Sequence, residues 1–295
     1  MWPSSPSQRQ LPPLLGALQP SEVARVSPSI GVIGLGRMAQ ALIEPLLTSG
    51  SVEPDQVIAV VGRSESAAAL KQGVFGRCVI HAAPSADAQE VLKAPLQLLA
   101  IKPQQVELAA ASFPAVGGSP LLVSVLAGVN LSRLQRLFPS HRVVRAVPNT
   151  PALVGQGLTA LAWGDNISPS QRQEVQALFA GVGEVLELPE EKLDAFLALT
   201  SSGPAFVALV AEAMADGAVA AGLPRDLAHR LAHRTLAGSA ALLDQRQLHP
   251  ATLKDMVTSP GGTTIAGVRA LERGGLRSAL MEAVIAAAER SRELA

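Results

Sequence analysis

The sequence predicts an α/β domain with a doubly wound parallel sheet, followed by an all-α domain. Two patterns indicate this architecture. Between residues 29 and 188, short apolar runs rich in β-branched residues alternate with helical stretches, as in parallel βαβ units. After Pro189 the strand signals stop, and Ala, Leu, Glu and Arg dominate the remaining sequence. We therefore expect a sheet domain at 29–188 and a helical domain at 189–295.

The composition argues against several classes of protein. The 295 residues carry 24 basic and 24 acidic side chains, so no charge excess is available for a nucleic acid or an anionic membrane surface. Apolar residues make up 48% of the chain, but no uninterrupted run approaches the roughly 18 to 20 apolar residues of a membrane helix. The single cysteine, Cys78, cannot form an intramolecular disulfide, which fits a reducing compartment. We expect a cytoplasmic protein that binds neither nucleic acid nor membrane.

Residues 1–28 are rich in Pro, Ser and Gln and predict a disordered extension. Their apolar cluster around Leu14 is too short, and too broken by prolines, for a signal-peptide core. Arg9, Arg25 and several serines leave a transit peptide open, although Glu22 and the prolines argue against it.

Strands are predicted throughout the sheet domain. They are Ile30–Ile33, Val57–Val61, Cys78–Ile80, Leu96–Ile101, Leu121–Val125 and Arg142–Val147, with two more near Leu158–Trp163 and Val182–Leu188. Ser168 followed by Pro169 predicts the start of a helix between the last two strands.

A helix predicted at Ala205–Ala221 carries only Glu212 and Asp216 as charged residues, so nearly its whole circumference is apolar. A helical domain of this size offers limited surface to cover it. We therefore expect another subunit to cover this helix, in an obligate dimer.

Gly34, Gly36 and Ala39 form a G-x-G-x-x-A motif between the first predicted strand and a helix predicted from Arg37 to Ser49. In the Rossmann dinucleotide-binding fold the first glycine allows a tight turn, and the second lets the backbone approach a pyrophosphate. The third small residue allows the helix to pack closely on the strand. The helix N-terminus supplies N–H donors for the phosphates. Such a motif can also be a structural turn, but βαβ units on both sides favour dinucleotide binding.

The end of the second strand predicts which dinucleotide binds. NAD sites usually carry an acid there, whereas an arginine can bind the 2′-phosphate of NADPH. Here the strand ends in Arg63 and Ser64, and no acid occurs before Glu65. We expect NADPH as the cofactor, with NADH weaker; an exposed surface arginine is the alternative. Lys102 follows the fourth strand at the same edge, where it is either a ligand contact or an ordinary surface lysine.

A second anion site is predicted in the loop Ser259–Thr264, before a helix that begins near Thr264. Gly261 and Gly262 expose backbone amides at this helix start, a geometry suited to a small carboxylate, and the hydroxyls of Ser259, Thr263 and Thr264 add donors. A glycine-rich helix connection with a threonine cap is the alternative.

From residue 30 to its end, the chain resembles the pyrroline-5-carboxylate reductase family. The resemblance rests on Gly34-Leu35-Gly36-Arg37-Met38-Ala39, Ile101-Lys102-Pro103-Gln104, Ser124-Val125-Leu126-Ala127-Gly128-Val129, Arg145-Ala146-Val147-Pro148-Asn149-Thr150-Pro151, Ser202-Gly203-Pro204-Ala205-Phe206, Gly222-Leu223-Pro224-Arg225 and Leu253-Lys254-Asp255-Met256-Val257-Thr258-Ser259-Pro260-Gly261-Gly262-Thr263-Thr264-Ile265-Ala266-Gly267. The last segment is close to the family's signature. One departure is Ser201, which stands where the family's usual Gly-Ser-Gly-Pro stretch begins with glycine.

The resemblance implies a Rossmann domain followed by a helical dimerisation and substrate domain. It implies reduction of 1-pyrroline-5-carboxylate, a cyclic imino acid, to L-proline with NADPH, in homodimers and in decamers of five dimers. The cofactor-binding residues predicted from the motifs and from this resemblance together are Gly34, Gly36, Arg37, Met38, Ala39, Arg63, Ser64, Ile101, Lys102, Pro103 and Asn149. The substrate-binding residues are Ser259, Gly261, Gly262, Thr263 and Thr264, and Thr264 matches the residue that hydrogen-bonds the ring nitrogen.

Imine reduction requires no dedicated histidine or carboxylate, because a protonated C=N bond is already electrophilic. Glu212 and Asp216 have two interpretations of equal weight: buried acids near the site, or structural residues. His229 and His233 have the i,i+4 spacing of a zinc pair but lack an intervening glutamate, so no metal site is expected. Two other functions remain open: another NADPH-dependent imine or hydroxyacid oxidoreductase of similar architecture, and a non-catalytic NADP-binding sensor.

Overall fold

The computed structural model describes residues 30–85, 87–112 and 119–294, so the extension predicted at 1–28 lies outside the described residues. Its centre is an 8-stranded sheet. The strands are β1 (Ile30–Ile33), β2 (Val57–Val61), β3 (Val79–Ala82), β4 (Leu96–Leu99), β5 (Leu121–Ser124), β6 (Arg142–Val147), β7 (Gly157–Trp163) and β8 (Gly183–Glu187).

The sheet has the order β3-β2-β1-β4-β5-β6-β7-β8. Strands β1 to β6 are parallel, whereas β7 runs antiparallel to β6 and β8 runs parallel to β7. The first six positions have the strand order of a doubly wound dinucleotide-binding sheet, with the topological switch point between β1 and β4. The predicted fold class is confirmed. The prediction for β4 ran past its end: after Leu99, the Ala100 N–H still bonds to the Ile33 carbonyl at 2.8 Å, and the chain then turns away from the sheet.

Helices cover both faces of the sheet and make up the C-terminal part of the chain. They are α1 (Arg37–Thr48), α2 (Ser64–Leu70), α3 (Val106–Ser112), α4 (Leu131–Leu137), α5 (Pro169–Ala180), α6 (Leu193–Thr200), α7 (Gly203–Ala220), α8 (Arg225–Gln245), α9 (Pro250–Met256), α10 (Thr263–Arg273) and α11 (Leu276–Glu293). Helix α5 begins as predicted, because the Ser168 hydroxyl accepts the Gln171 N–H at 3.2 Å and Pro169 takes the first helical position.

The sheet separates two apolar layers. Alternate residues of each strand face opposite sides, so Val32 joins the layer formed with α1, α2 and α5, whereas Ile33 joins the layer formed with α3 and α4. Both layers are closed to solvent; Val32 is 0% exposed and Ile33 is 2% exposed. The loops at the carboxyl edge therefore rest on a fixed scaffold.

A buried cation connects this scaffold to the C-terminal helices. Arg145 on β6 is 4% exposed, and its guanidinium lies 3.2 Å from Glu190 Oε1 and 3.6 Å from Asp194 Oδ1. Glu190 also accepts the Leu131 N–H at the start of α4 at 2.7 Å, and Asp194 accepts the Ser291 hydroxyl of α11 at 2.7 Å. We name these four side chains, Arg145, Glu190, Asp194 and Ser291, the ionic hub. It ties the sheet to α4, α6 and α11.

Helix α7 is largely uncovered in the single chain. Only Ala211 and Ala215 are buried, where α7 packs against α8, while Leu209 is 67% exposed. The segment Glu190–Ala220 is long and apolar enough, with a mean hydropathy of 1.6, to meet the length and composition of a membrane-crossing helix. Only 11% of this stretch is buried inside the single chain.

A buried histidine, His141, lies just before β6 in surroundings that favour its neutral form. Gln97 donates its amide hydrogens to the carbonyls of Leu92 and Ala94, at 3.1 and 3.3 Å, so its Oε1 is the acceptor for His141 Nε2 at 3.2 Å. His141 Nδ1 is buried and has no partner among the described residues. Burial accordingly lowers the pKa of His141 below its ordinary value.

We expect this histidine to make the protein less stable in acid. Because the pKa of His141 is lower in the folded state, the unfolded chain takes up the proton first as the pH falls through about 6.5. Below that pH the free energy of unfolding therefore decreases, by at most about 1.4 kcal/mol per pH unit for this one group. When the free energy of unfolding is measured from about pH 8 to 5, it should decrease less in His141→Gln than in wild type. His249→Asn, an exposed capping position, is the control; equal losses for wild type and His141→Gln would contradict the assignment.

Candidate functional site: the carboxyl edge of the sheet

The turn after β1 needs a glycine at its first position. Gly34 has φ +92°, and its N–H donates to the Val60 carbonyl at 2.9 Å. A Cβ atom there would lie 2.7 Å from Ile101 Cγ2 and 2.9 Å from the Ala100 carbonyl oxygen. The predicted site residue Ile101 thus packs on the turn and closes it. Only glycine satisfies both the conformation and the space.

The start of α1 is open and uncapped. Gly36 is the N-cap residue, makes no side-chain cap, and would place a Cβ atom in space with nothing within 4 Å. Ala39 is 0% exposed, as expected for close packing on β1. The first amides of α1, at Arg37, Met38 and Ala39, have no acceptor within the helix. We name Gly36 and these three amides the cradle. Together with the helix dipole, the cradle fits the pyrophosphate of a dinucleotide.

The turn after β2 presents the predicted phosphate ligands to solvent. Arg63 and Ser64 are exposed, and Arg63 forms no ion pair with any described residue. Arg63 is the N-cap of α2, and Ser64 is its first helical residue, so the Ser64 hydroxyl makes no cap.

The turn after β4 lies next to the cradle. Lys102 is exposed and its backbone is extended. Pro103 begins a 3-10 turn, Pro103–Gln105, that leads into α3. Because β1 pairs with β4 in parallel, with Ile33 opposite Leu99, both turns leave the sheet at the same edge. The structure thus brings Lys102 to the switch point between β1 and β4, where ligands of such sheets bind.

Asn149 lies at the end of β6 with its side chain committed to the protein. It is 4% exposed, donates from Nδ2 to the Thr200 carbonyl at 3.0 Å, and accepts the Leu158 N–H at 2.8 Å. A cofactor contact by Asn149 would use its backbone or its second amide hydrogen. From the sequence, Ser201 stands out only as a departure from the family's glycine, and Thr200 does not stand out. The signal in the sequence that could have identified Thr200 is Pro204, which has no N–H to donate to the Thr200 carbonyl four residues earlier.

The loop between α9 and α10 is exposed and makes only local hydrogen bonds among the described residues. Gly261 has φ +68°, and the Gly262 N–H donates to the Ser259 carbonyl at 3.1 Å. This bond modifies the prediction for the anion site, because the Gly262 amide is already used. The amides of Gly261, Thr263 and Thr264 have no acceptor among the described residues.

Glu212 and Asp216, read from the sequence as either buried acids or structural residues, are both exposed in this chain, and Asp216 forms an ion pair with Arg225. Neither is a buried acid of the single chain.

A doubly wound sheet, an open glycine cradle at its switch point and an appended helical unit define a two-part dinucleotide-dependent oxidoreductase. Residues 190–294 match the family model for pyrroline-5-carboxylate reductase dimerisation, and residues 29–128 match that for an NADP oxidoreductase, coenzyme F420-dependent. The chain is 45% identical to the pyrroline-5-carboxylate reductase of Synechocystis over 91% of this chain and 99% of that protein. It is 39% identical to that of Arabidopsis thaliana over 90% of this chain and 95% of that protein. The chain belongs to the pyrroline-5-carboxylate reductase family.

A solved structure supports the same fold assignment. The pyrroline carboxylate reductase of Plasmodium falciparum, with NADP bound, superposes with a TM-score of 0.82 at 26% identity, covering 92% of this chain and 99% of that one.

We expect alanine at Gly34 to lower the stability of the protein, and alanine at Gly36 to lower its affinity for NADPH. Gly34→Ala forces φ +92° on a residue with a Cβ and a clash with Ile101 and Ala100, so it should lower stability by more than about 1 kcal/mol. Gly36→Ala meets no protein atom and should keep the stability of wild type, while its methyl group obstructs the approach of a pyrophosphate. Unfolding midpoints and NADPH titration separate the two. Equal loss of NADPH affinity with equal unfolding midpoints would contradict this assignment.

Proposed function

We propose that the protein reduces 1-pyrroline-5-carboxylate to L-proline with NADPH, the last step of proline biosynthesis. The observation that carries the proposal is the uncapped start of α1 at Gly36, at the edge of a sheet in a chain 45% identical to a named reductase over 99% of its length. The related structure with NADP bound supports the choice of cofactor.

NADPH is favoured over NADH by the end of β2. The exposed Arg63 presents a planar guanidinium, which suits bidentate recognition of a 2′-phosphate, and Ser64 adds a hydroxyl beside it. The nearest acid, Glu65, lies inside the first turn of α2 rather than at the strand end. NADH is therefore the weaker cofactor.

When bound, NADPH supplies a hydride to the carbon of the imine bond. The residues of the chain bind the cofactor and the substrate and orient them relative to each other. Gly34, Gly36, Arg37, Met38 and Ala39 hold the phosphates, and Lys102 adds positive charge at the same edge. The free amides of Gly261 and Thr263 and the hydroxyl of Ser259 bind the substrate carboxylate, while the Thr264 hydroxyl orients the ring nitrogen.

The working unit is a homodimer in the cytoplasm. The exposed apolar surface of α7, with Val207 at 55% and Leu209 at 67%, is more than a single chain covers, and the dimerisation model spans it. A decamer of five such dimers stays a prediction. The loop 257–262 is exposed and bonded only locally, so we propose that each loop completes the site of the partner subunit.

A turnover assay tests the proposed reaction, with Thr264 as its sharpest probe. Wild type should oxidise NADPH on adding 1-pyrroline-5-carboxylate, and Thr264→Ala should lower kcat by roughly 10- to 150-fold, the worth of a hydrogen bond to a charged nitrogen. KM for the imine should change little, because the backbone anion site remains. Thr252→Ala on α9 is the control and should match wild type. Full turnover by Thr264→Ala at saturating imine would remove this hydroxyl from catalysis.

Mixed dimers test the shared site. Gly36→Val subunits lose the cradle, and Thr264→Ala subunits lose the hydroxyl that follows the loop, so each homodimer is impaired. If loop and cradle come from different subunits, half of the randomly mixed dimers have one intact site, and about a quarter of wild-type activity returns. Activity no higher than that of the separate variants would mean that each site uses a single chain.

A further inference from the structure

The junction between α6 and α7 is a helix break produced by one proline. Pro204 is near the start of α7 and has no N–H, so the Thr200 carbonyl has no donor four residues ahead. The Ser201 and Ser202 amides both bond to the Leu197 carbonyl, at 2.9 and 3.1 Å, which is a local widening of the helix. The break therefore leaves a carbonyl that requires a partner from elsewhere.

That partner comes from the carboxyl edge of the sheet. Asn149, just after β6, donates to the Thr200 carbonyl at 3.0 Å. Its Oδ1 accepts the Leu158 N–H at 2.8 Å, which fixes the amide orientation from the second side. Since Asn149 is 4% exposed, these hydrogen bonds are largely shielded from competing water.

A second bond runs beside it in the opposite direction. The Ser201 hydroxyl donates to the Pro148 carbonyl at 2.9 Å. Glycine in place of Ser201 would have no such donor. Together, Pro148, Asn149, Thr200 and Ser201 form what we name the junction clamp, with one donor on each side.

We propose that the junction clamp is a positioning device for hydride transfer, and that Ser201 is a positioning residue of this chain. It fixes the first turn of α7 at the carboxyl edge of β6, and so sets where the helical unit stands relative to the nucleotide cradle. The inference rests on the proposed function, because positioning acts on a reaction between the two units. Hydride transfer is steeply sensitive to such placement.

Ser201→Ala tests the clamp, with Ser202→Ala as the matched control. Ser202 is the adjacent residue, and its side chain makes no cap. Loss of one neutral hydrogen bond should lower kcat by about 5-fold in Ser201→Ala, with the Kd for NADPH and the unfolding midpoint close to those of wild type. The isotope effect with NADPH deuterated at the transferred position should rise, because the chemical step becomes slower. Ser201→Thr, which keeps the hydroxyl, should restore kcat.

Three results would overturn the proposal: equal kcat for Ser201→Ala and Ser202→Ala, a parallel fall of kcat, NADPH affinity and unfolding midpoint, or no rescue by threonine. Hydrogen exchange at the Leu158 amide and the first turn of α7 gives a readout independent of turnover. It should speed up in Ser201→Ala only, and unchanged exchange would also overturn the clamp. If wild type itself fails to reduce 1-pyrroline-5-carboxylate, the proposed function falls, and the exchange data alone decide whether the clamp exists.

Discussion

The rest of the structure depends on how the charge of Arg145 is neutralised. A guanidinium that is 4% exposed, on a strand whose other residues after Arg142 are valine and alanine, is tolerated only with carboxylates against it. Glu190 and Asp194 supply them, and removing one partner of such a buried pair typically costs about 3 to 5 kcal/mol. The Nε atom of Arg145 remains without a partner among the described residues, so both carboxylate contacts are made through the terminal nitrogens.

The ionic hub also shapes the edge where ligands bind. Glu190 bonds to the first amide of α4 and lies at the positive end of that helix dipole, which fixes the loop after β5. In that loop Gly128 has φ +72°, and a Cβ there would lie 2.7 Å from the Leu294 carbonyl oxygen, so the end of α11 presses against it. The Val125 N–H at the start of this loop donates to the Leu99 carbonyl at 3.0 Å, so the end of β4 is bordered by a loop that the ionic hub helps to fix.

The fold and the nucleotide cradle could be predicted because their signals are local. Gly34 and Gly36 stand next to an apolar run, and the central strands β1, β4 and β5 are short stretches in which every residue is buried. The ionic hub could not be predicted, since Arg145 and Ser291 are distant in sequence and an arginine in a strand indicates exposure by default. The bond from Gly262 to Ser259 is set by φ +68° at Gly261, a backbone detail that Gly-Gly alone does not specify.

The ionic hub makes the two units inseparable even though the sequence divides cleanly between them. The last strand ends at Glu187, and a gene cut immediately afterwards would encode every strand of the sheet. Such a fragment would lack Glu190 and Asp194, the two acids that pair with Arg145, and the α6 side chains that cover Val147, Ala160 and Ala162. It would also leave the first amide of α4 unbonded. The nucleotide-binding unit is therefore not a module that can be excised or recombined at the point where its strands stop. Any exchange of helical units between relatives has to carry a matching pair of acids with it.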